Sequence, residues 1–352
     1  MKLAKNIKRH WRSWKVTRIS PETVKELALY PELPQKSLRQ IRSELYWLCR
    51  NKKRGSWSMD DTIADYFNMG IDREGEDVHA YVFRRELDRA RNEKQPIYAS
   101  LLKDKWITAR YLQTCGIATT LPILYKTPFV STEEGVRKIL NSEGKYFFAK
   151  RVDGTLGNDA FPFSVQGDKF IVKGREITGD ELMGILDRYI VEPYIDQHDS
   201  ITNLYPHGVS SARIVTICEN GNIEIILASL LVGAGGLQMS NFHQGGLRIP
   251  INIKTGELEE KGLRVKQGRG WYTEHPDTGV AFKGFKLPYW DEVIKLIMLC
   301  HQSLPAIHSV GWDIAFSKNG PLLIEGNHRW VPHSFQYTYG AGREFMKRYL
   351  LK

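Results

Sequence analysis

The stretch Gly311-Trp312-Asp313-Ile314-Ala315-Phe316-Ser317-Lys318-Asn319-Gly320-Pro321-Leu322-Leu323-Ile324-Glu325-Gly326-Asn327 constrains this chain more than any other. Apolar runs flank Lys318-Asn319-Gly320-Pro321, and Gly and Pro supply the backbone angles a reversal needs, so the pattern predicts a hairpin of two short strands. Alternation puts Asp313 on the first strand and Glu325 and Asn327 on one face of the second. Two carboxylates and an amide oxygen meeting at one end of a hairpin suit Mg²⁺, a hard cation that prefers oxygen and is commonly shared with nucleotide phosphates. The three residues alone describe a solvated turn with polar ends equally well, because Asp, Glu and Asn are common near turns.

A chain of 352 residues has room for such a hairpin inside a sizeable core, in one large or two to three modest domains. With 42% hydrophobic and 26% charged residues it reads as globular. The most apolar segment, Ile223 to Leu237, contains Glu224 and several glycines, and predicts a strand buried on both faces rather than a membrane span. No signal-peptide pattern opens the sequence. Cys49, Cys115, Cys218 and Cys300 are far apart and lack paired spacing, which suggests neither a disulfide frame nor a zinc site and fits a reducing cytosol.

The net charge of +10 is concentrated at the N-terminus: residues 1–54 hold 15 Lys and Arg against 4 Glu, and the rest is nearly neutral. A basic arm on a neutral body predicts attraction to an anionic surface and says nothing of the body's chemistry. In residues 1–20 a helical projection aligns Leu3, Ile7, Trp11 and Trp14, with Lys2, Lys5, Lys8, Arg9, Arg12 and Lys15 opposite. That describes either an interfacial helix lying on anionic lipid or a helix docked by its Trp face on its own body.

Residues 21–95 read as a mostly helical lobe. Lys36 to Arg54 carries the stripe Leu38, Ile41, Leu45 and Leu48 and stops at Gly55, and Asp60 to Phe67 and Asp77 to Arg91 follow as helices. From residue 96 helices and strands alternate. Helices are expected at Leu101 to Cys115, Glu133 to Glu143, Asp180 to Asp187 and Trp290 to Leu304. Strands are expected at Tyr146 to Val152, Phe170 to Lys173, Tyr189 to Ile195, Ala212 to Cys218 and Ile223 to Val232. Mostly sequential strands without βαβ regularity predict an α+β fold.

Several polar groups stand out against this pattern. Lys150 leaves a strand beside Gly154-Thr155-Leu156-Gly157, where an ammonium and loop amides can surround phosphates; a surface lysine and an ordinary turn fit the same residues. Lys105 is a second candidate cation, or a solvated helix position. In Glu192-Pro193-Tyr194-Ile195, Pro193 removes a backbone donor, so the segment reads as an edge or connector whose free backbone can pair with adenine, while Asp199 can hold ribose hydroxyls. Arg213 interrupts an apolar strand and requires either an acidic partner or an anionic ligand. Asn241, His243 and Arg248 flank the pair Gly245-Gly246, and Glu274-His275-Pro276-Asp277-Thr278-Gly279 has turn chemistry. Neither His243 nor His275 has a second His or Cys at ligand spacing, which argues against zinc.

The order of these features resembles the ATP-grasp superfamily: a helix lysine, a strand lysine before a glycine loop, an Ile/Val-Glu-Pro-Tyr-Ile connector, an arginine strand, then Asp313 and Glu325-Gly326-Asn327. Ser210 to Thr216, Asn241-Phe242-His243, Gly245-Gly246, His275-Pro276-Asp277-Thr278-Gly279 and Gly311-Trp312-Asp313 look like its sugar-transfer-associated branch, found among polysaccharide biosynthesis genes. The resemblance covers roughly residues 60–335 and includes Tyr66 to Ile71; the arm before it is unmatched.

It implies an ATP-grasp core over 96–352, with 120–200 as an ATP-clasping lobe and 201–352 as a metal-binding lobe. It implies ATP phosphates at Lys105, Lys150 and the Gly154, Thr155, Gly157 loop, adenine at Glu192, Tyr194 and Ile195, and ribose at Asp199. The transferred phosphoryl group would face the catalytic set Arg213, Arg248 and Asn241. Asp313, Glu325 and Asn327 would hold Mg²⁺, with Mn²⁺ as a substitute. The implied activity is a carboxylate–amine ligase working through an acyl phosphate, on a uronic acid or amino acid in surface-polysaccharide synthesis. Carboxylate and amine substrates are the expected partners. An anionic membrane surface at residues 1–20 and glycosyltransferases are also expected, nucleic acid is not, and the expected location is cytoplasmic, at the inner face of the membrane. A sugar-kinase-like transferase and a catalytically silent partner of glycosyltransferases are the alternatives. Arg248 and His328-Arg329-Trp330 depart from the branch's pattern and leave acceptor choice open.

Overall fold

The computed structural model describes residues 16, 18–51, 53–56, 58–127, 133–142, 145–154, 160–167, 169–237 and 242–349, the side chains of Glu93, His243 and Pro332 excepted. The expected amphipathic arm, the loop residues 155–159 and Asn241 therefore lie outside the described residues. Contacts divide the chain into two compact units. One comprises residues up to Gln95 together with Lys261–Tyr272 and Arg329–Lys352; the other comprises Pro96–Glu260 and Thr273–His328. Where the sequence suggested a single passage into a core at residue 96, two later segments return to the first unit.

The second unit contains two sheets. The smaller is built from β1 (Leu124–Tyr125), β2 (Tyr146–Arg151), β3 (Phe161–Gln166), β4 (Lys169–Val172), β5 (Arg175–Ile177) and β6 (Tyr189–Pro193), in the order β1-β6-β2-β3-β4-β5, antiparallel throughout. One face buries Phe147, Ala149, Phe163, Phe170 and Val191 under the helices Glu133–Leu140 and Gly179–Ile185. Because side chains alternate, Phe148 and Lys150 are left on the other face of β2.

The second sheet begins with β7 (Ser211–Glu219), β8 (Asn222–Val232) and β9 (Leu247–Pro250). Then the chain visits the first unit, where β10 (Gly262–Arg264) and β11 (Gly270–Tyr272) form a hairpin, and returns as β12 (Ser309–Ser317) and β13 (Gly320–Asn327). Within the second unit the strands run β9-β8-β7-β12-β13, again antiparallel. The helix Trp290–Gln302 buries Val293, Ile297, Cys300 and His301.

Two irregularities shape this sheet. Val215 pairs with Leu227 but Thr216 pairs with Ile225, and Asp313 pairs with Glu325 but Ile314 pairs with Leu323. Ile226 and Ile324 are the extra residues, and such bulges re-aim neighbouring side chains. The second lets Glu325 face the same side as Asp313 while Leu323, two positions earlier, stays buried on the other.

In the first unit the helices are Pro21–Leu27, Leu38–Arg50, Met59–Asn68 and Arg84–Lys94, followed at the C-terminus by Gln336–Tyr339 and Arg343–Tyr349. Leu38–Arg50 is capped by Ser37, not begun at Lys36, because Ser37 and Gln40 form a reciprocal capping box, and it ends four residues short of the expected Arg54. Its core stripe is Ile41, Leu45 and Leu48. Two expected helices are broken. Asp77 caps only a 3₁₀ turn, Val78–Ala80, and extended Tyr81 and Phe83 separate it from Arg84–Lys94. Asp104 accepts from the Ile107 amide at 2.9 Å and so starts Lys105–Thr114 afresh after a 3₁₀ turn, Ile97–Lys103. This unit's interior is also polar: Asp65 accepts from Ser56 at 2.7 Å and Tyr337 at 2.5 Å, and Glu44 from Lys36 at 2.9 Å and Tyr66 at 2.6 Å. Trp330 is fully buried there and its carbonyl accepts from Arg91, so the tryptophan after the hairpin is a packing residue, while Arg329 beside it is exposed.

Candidate active site

Cross-strand register assembles the site. Glu325, Asp313, Arg213, Ser229 and Pro250 are direct partners across β13, β12, β7, β8 and β9, forming one row on one face. Asn327 lies two positions along from Glu325 on the same face, and Arg248, paired with Leu231, lies two positions along from Pro250. The sequence expectation that Asp313, Glu325 and Asn327 converge holds: the Asn327 amide donates to Asp313 Oδ2 at 3.3 Å and to Glu325 Oε1 at 3.1 Å. Arg213 grips Asp313 through both nitrogens of its fork, Nη2 donating to Oδ2 at 2.8 Å and Nε to Oδ1. The strand arginine has thus found its acidic partner.

Two lysines approach from other elements. Lys105 is the first residue of its helix; its amide bonds the Val152 carbonyl at 3.2 Å, which ties the helix start to the end of β2. Its Nζ donates to the Gly154 carbonyl at 2.6 Å and lies 3.6 Å from Glu325 Oε2. Lys150 Nζ lies 2.8 Å from Glu192 Oε2, and both residues are buried. Gly154 is therefore held against Lys105, while Thr155 and Gly157 fall in the stretch outside the described residues.

The charges bias one another's protonation. Burial raises Asp313 despite Arg213, and the neighbouring Glu325 adds to the rise. Burial alone would raise Glu325 too, but Lys105 and Lys150, with Asn327 and Arg213, hold it below its ordinary value. Burial likewise raises Glu192, against the pull of Lys150. Of the two hairpin carboxyls, Asp313 is the one that keeps a proton longer as pH rises. Among the described residues no group of three His, Cys, Asp or Glu converges on a metal position. The donor set at the hairpin is two carboxylates and one amide, all oxygen donors, and it fits a hard cation such as Mg²⁺.

Other expected residues lie outside the Asp313–Glu325 cluster. Asp199 heads a short helix and is largely exposed, 3.9 Å from Lys318 at the hairpin turn, which also reaches Asp196 at 3.2 Å. Tyr194's amide is taken up by the Tyr146 carbonyl at 2.9 Å. A groove of about 620 Å³ is lined by Tyr146, Phe147, Pro193, Tyr194 and Ile195 among others, and none of Lys105, Lys150, Asp313 or Glu325 lines it. Arg248 is buried with its guanidinium 4.6 Å from the Phe242 ring centre. His275 is a turn residue: Nε2 donates to the Gly233 carbonyl at 2.8 Å, and Nδ1 accepts the Asp277 amide at 3.2 Å.

Sequence reasoning missed what lies behind the row. Trp312 Nε1 donates to Thr216 Oγ1 at 2.8 Å, and Thr216 Oγ1 is 2.6 Å from His301 Nδ1. His301 Nε2 is 2.7 Å from the Ile307 carbonyl, which only accepts, so Nε2 carries the hydrogen and Nδ1 accepts from Thr216. The indole also fills the space behind Gly326, where a Cβ would lie 2.7 Å from Trp312 Cζ3. A glycine between Glu325 and Asn327 of β13 is thus a packing requirement. A histidine ending the apolar stripe of Trp290–Gln302 was the only sequence signal for this relay.

The sugar-transfer associated ATP-grasp family is matched over residues 83–347, and the chain belongs to that family. No curated protein matches it. Among solved structures it is similar to an N5-carboxyaminoimidazole synthetase from Staphylococcus aureus complexed with ADP, at 13% identity and a TM-score of 0.40, over 71% of this chain and 52% of that one. An L-amino acid ligase from Bacillus licheniformis gives 14% and 0.38, over 74% and 49%. D-alanyl-alanine synthetase A from Vibrio cholerae gives 10% and 0.40, over 72% and 62%. The chain spans about half the length of the first two. No helix among the described residues is long and apolar enough to cross a membrane.

Proposed function

We propose that this protein is an ATP-dependent carboxylate–amine ligase that works through an acyl phosphate, on a uronic acid or amino acid of a surface glycan. The observation that carries the reading is the convergence of Lys105 and Arg213 on the carboxylates Glu325 and Asp313, with Lys150 also biasing Glu325. Basic groups beside an oxygen donor set are what a metal nucleotide and a transferring phosphoryl group require. Asp313, Glu325 and Asn327 would hold Mg²⁺, which when bound neutralises phosphate charge. Lys105 and Lys150 would bind phosphate oxygens, and Arg213 would orient the transferred group. Glu192, Tyr194 and Ile195 are proposed to contact adenine, Asp199 the ribose and the Gly154, Thr155, Gly157 loop the ATP phosphates, with Arg248 and Asn241 facing the transferred phosphoryl group.

In this scheme a carboxylate oxygen of the substrate attacks the γ-phosphorus and ADP leaves. The amine then attacks the acyl carbon and phosphate leaves, so no protein nucleophile is required. Incubation with ATP, Mg²⁺ and pools of candidate acids and amines should release ADP and phosphate with a new amide mass. AMP and pyrophosphate would contradict the mechanism, and a stable phosphomonoester formed without amine would indicate a kinase. The basic arm is proposed to bring the enzyme to anionic lipid at the cytoplasmic face of the membrane. Flotation with liposomes, with and without residues 1–20, tests that assignment.

A further inference from the structure

Ser229 stands in the same cross-strand row as Glu325, Asp313 and Arg213, one strand beyond the arginine. Its residue is 0% exposed, and its Oγ has no hydrogen-bond partner among the described residues. A hydroxyl shielded from water and left unpaired is destabilising, and native interiors rarely tolerate it without a reason. The reason is not local turn or cap chemistry, since Ser229 is mid-strand and its direct neighbours on that face are Arg213 on one side and Pro250 on the other. Pro250 offers no side-chain hydrogen bond, and Arg213's Nε and Nη2 are directed to Asp313. Arg248 lies diagonally across on the same face, two positions along β9.

We propose that Ser229 is the third donor of an oxyanion subsite, with Arg213 and Arg248, that holds a carboxylate or phosphoryl oxygen of the acyl group. The inference rests on the ligase reading above. The row supplies the order: metal-binding carboxylates at β13 and β12, a guanidinium at β7, then a hydroxyl at β8. Adjacent strands lie about 4.8 Å apart, so the hydroxyl stands about 10 Å from the Asp313 backbone, roughly one phosphoryl group beyond the metal end. A cation bound at Asp313 competes for the carboxylate that Arg213 now grips, and a released guanidinium can share an oxyanion with the Ser229 hydroxyl. A short hydroxyl accommodates a tetrahedral or planar oxyanion and adds no charge to an already cationic pair.

The test uses inorganic phosphate as the probe, titrated calorimetrically into the full chain saturated with MgADP. Ser229→Ala and the near-isosteric Ser229→Cys are expected to weaken phosphate about 10- to 100-fold, as loss of a hydrogen bond to a charged group does, with MgADP affinity unchanged. Because the hydroxyl has no partner among the described residues, Ser229→Ala should melt at the wild-type temperature or above it. Equal phosphate affinity in wild type and both variants overturns the inference, as does a Ser229→Ala melting point several degrees lower. If wild type binds MgADP but not phosphate, the subsite is wrong while the nucleotide site stands. If wild type does not bind MgADP, the ligase reading fails and the subsite with it.

Discussion

Replacing Thr216 with valine removes one oxygen and almost no volume, yet it breaks the relay behind the site at two points. Trp312 Nε1, now 2.8 Å from Thr216 Oγ1, loses its acceptor, and His301 Nδ1 loses its donor. Thr216, Trp312 and His301 are all fully buried, so water does not substitute. Each stranded group costs about 1–3 kcal/mol, which sums to about 2–5 kcal/mol once the better burial of valine is credited. Thr216→Ser keeps the oxygen and loses one methyl, worth about 1 kcal/mol. Urea unfolding at pH 7.5, followed by tryptophan fluorescence, separates the two variants. If Thr216→Val is within about 0.5 kcal/mol of Thr216→Ser, the hydroxyl is not a relay and the reasoning fails.

Asp72 is 1% exposed with neither oxygen hydrogen bonded among the described residues, and burial lifts its carboxyl to about 6. A folded-state value above the unfolded one gives stability that is full below about pH 4 and lost as pH rises through 6. From pH 4 to 8 this loss is on the order of 3 kcal/mol, so Asp72→Asn should raise stability at pH 8 and hardly change it at pH 4; equal effects at both pH values contradict the account. His301 is held neutral by burial, so its contribution is present above pH 6.5 and disappears on acidification; chemical-shift titration should place its pKa below that of a free histidine. Gly326→Ala puts a Cβ 2.7 Å from Trp312 Cζ3, and should cost about 1–3 kcal/mol in thermal or urea unfolding while weakening Mg²⁺ dependence of nucleotide binding.

Much of this site was legible because its residues break the rules of their elements. Arg213 in an apolar strand and carboxylates at the end of a hairpin are costly unless paired, and the structure pairs them with each other. Bulges at Ile226 and Ile324 were not legible, since an extra isoleucine after Ile225 or after Leu322-Leu323 looks like the apolar residues that precede it. The relay through Thr216 was hidden for a similar reason: a threonine in a strand is ordinary until a partner arrives from a helix 85 residues away. Helix breaks at Asp104 and between Ala80 and Arg84 were missed because apolar spacing continued across them, while the cap chemistry that decided the boundary was short-range. The return of 261–272 and 329–352 to the first unit is a long-range packing choice, and no composition shift announces it.

The hairpin pair Asp313 and Glu325 is proposed to form the metal end of a nucleotide site. Calorimetric titration of ADP into the full chain, with and without Mg²⁺, tests it most directly when wild type is compared with Asp313→Asn/Glu325→Gln. These substitutions remove charge at nearly constant shape and leave Lys105 and Arg213 in place. Mg²⁺-dependent binding to wild type is expected, with weaker binding to the double variant that Mg²⁺ no longer improves. Binding to the double variant with wild-type affinity and wild-type Mg²⁺ dependence would contradict it.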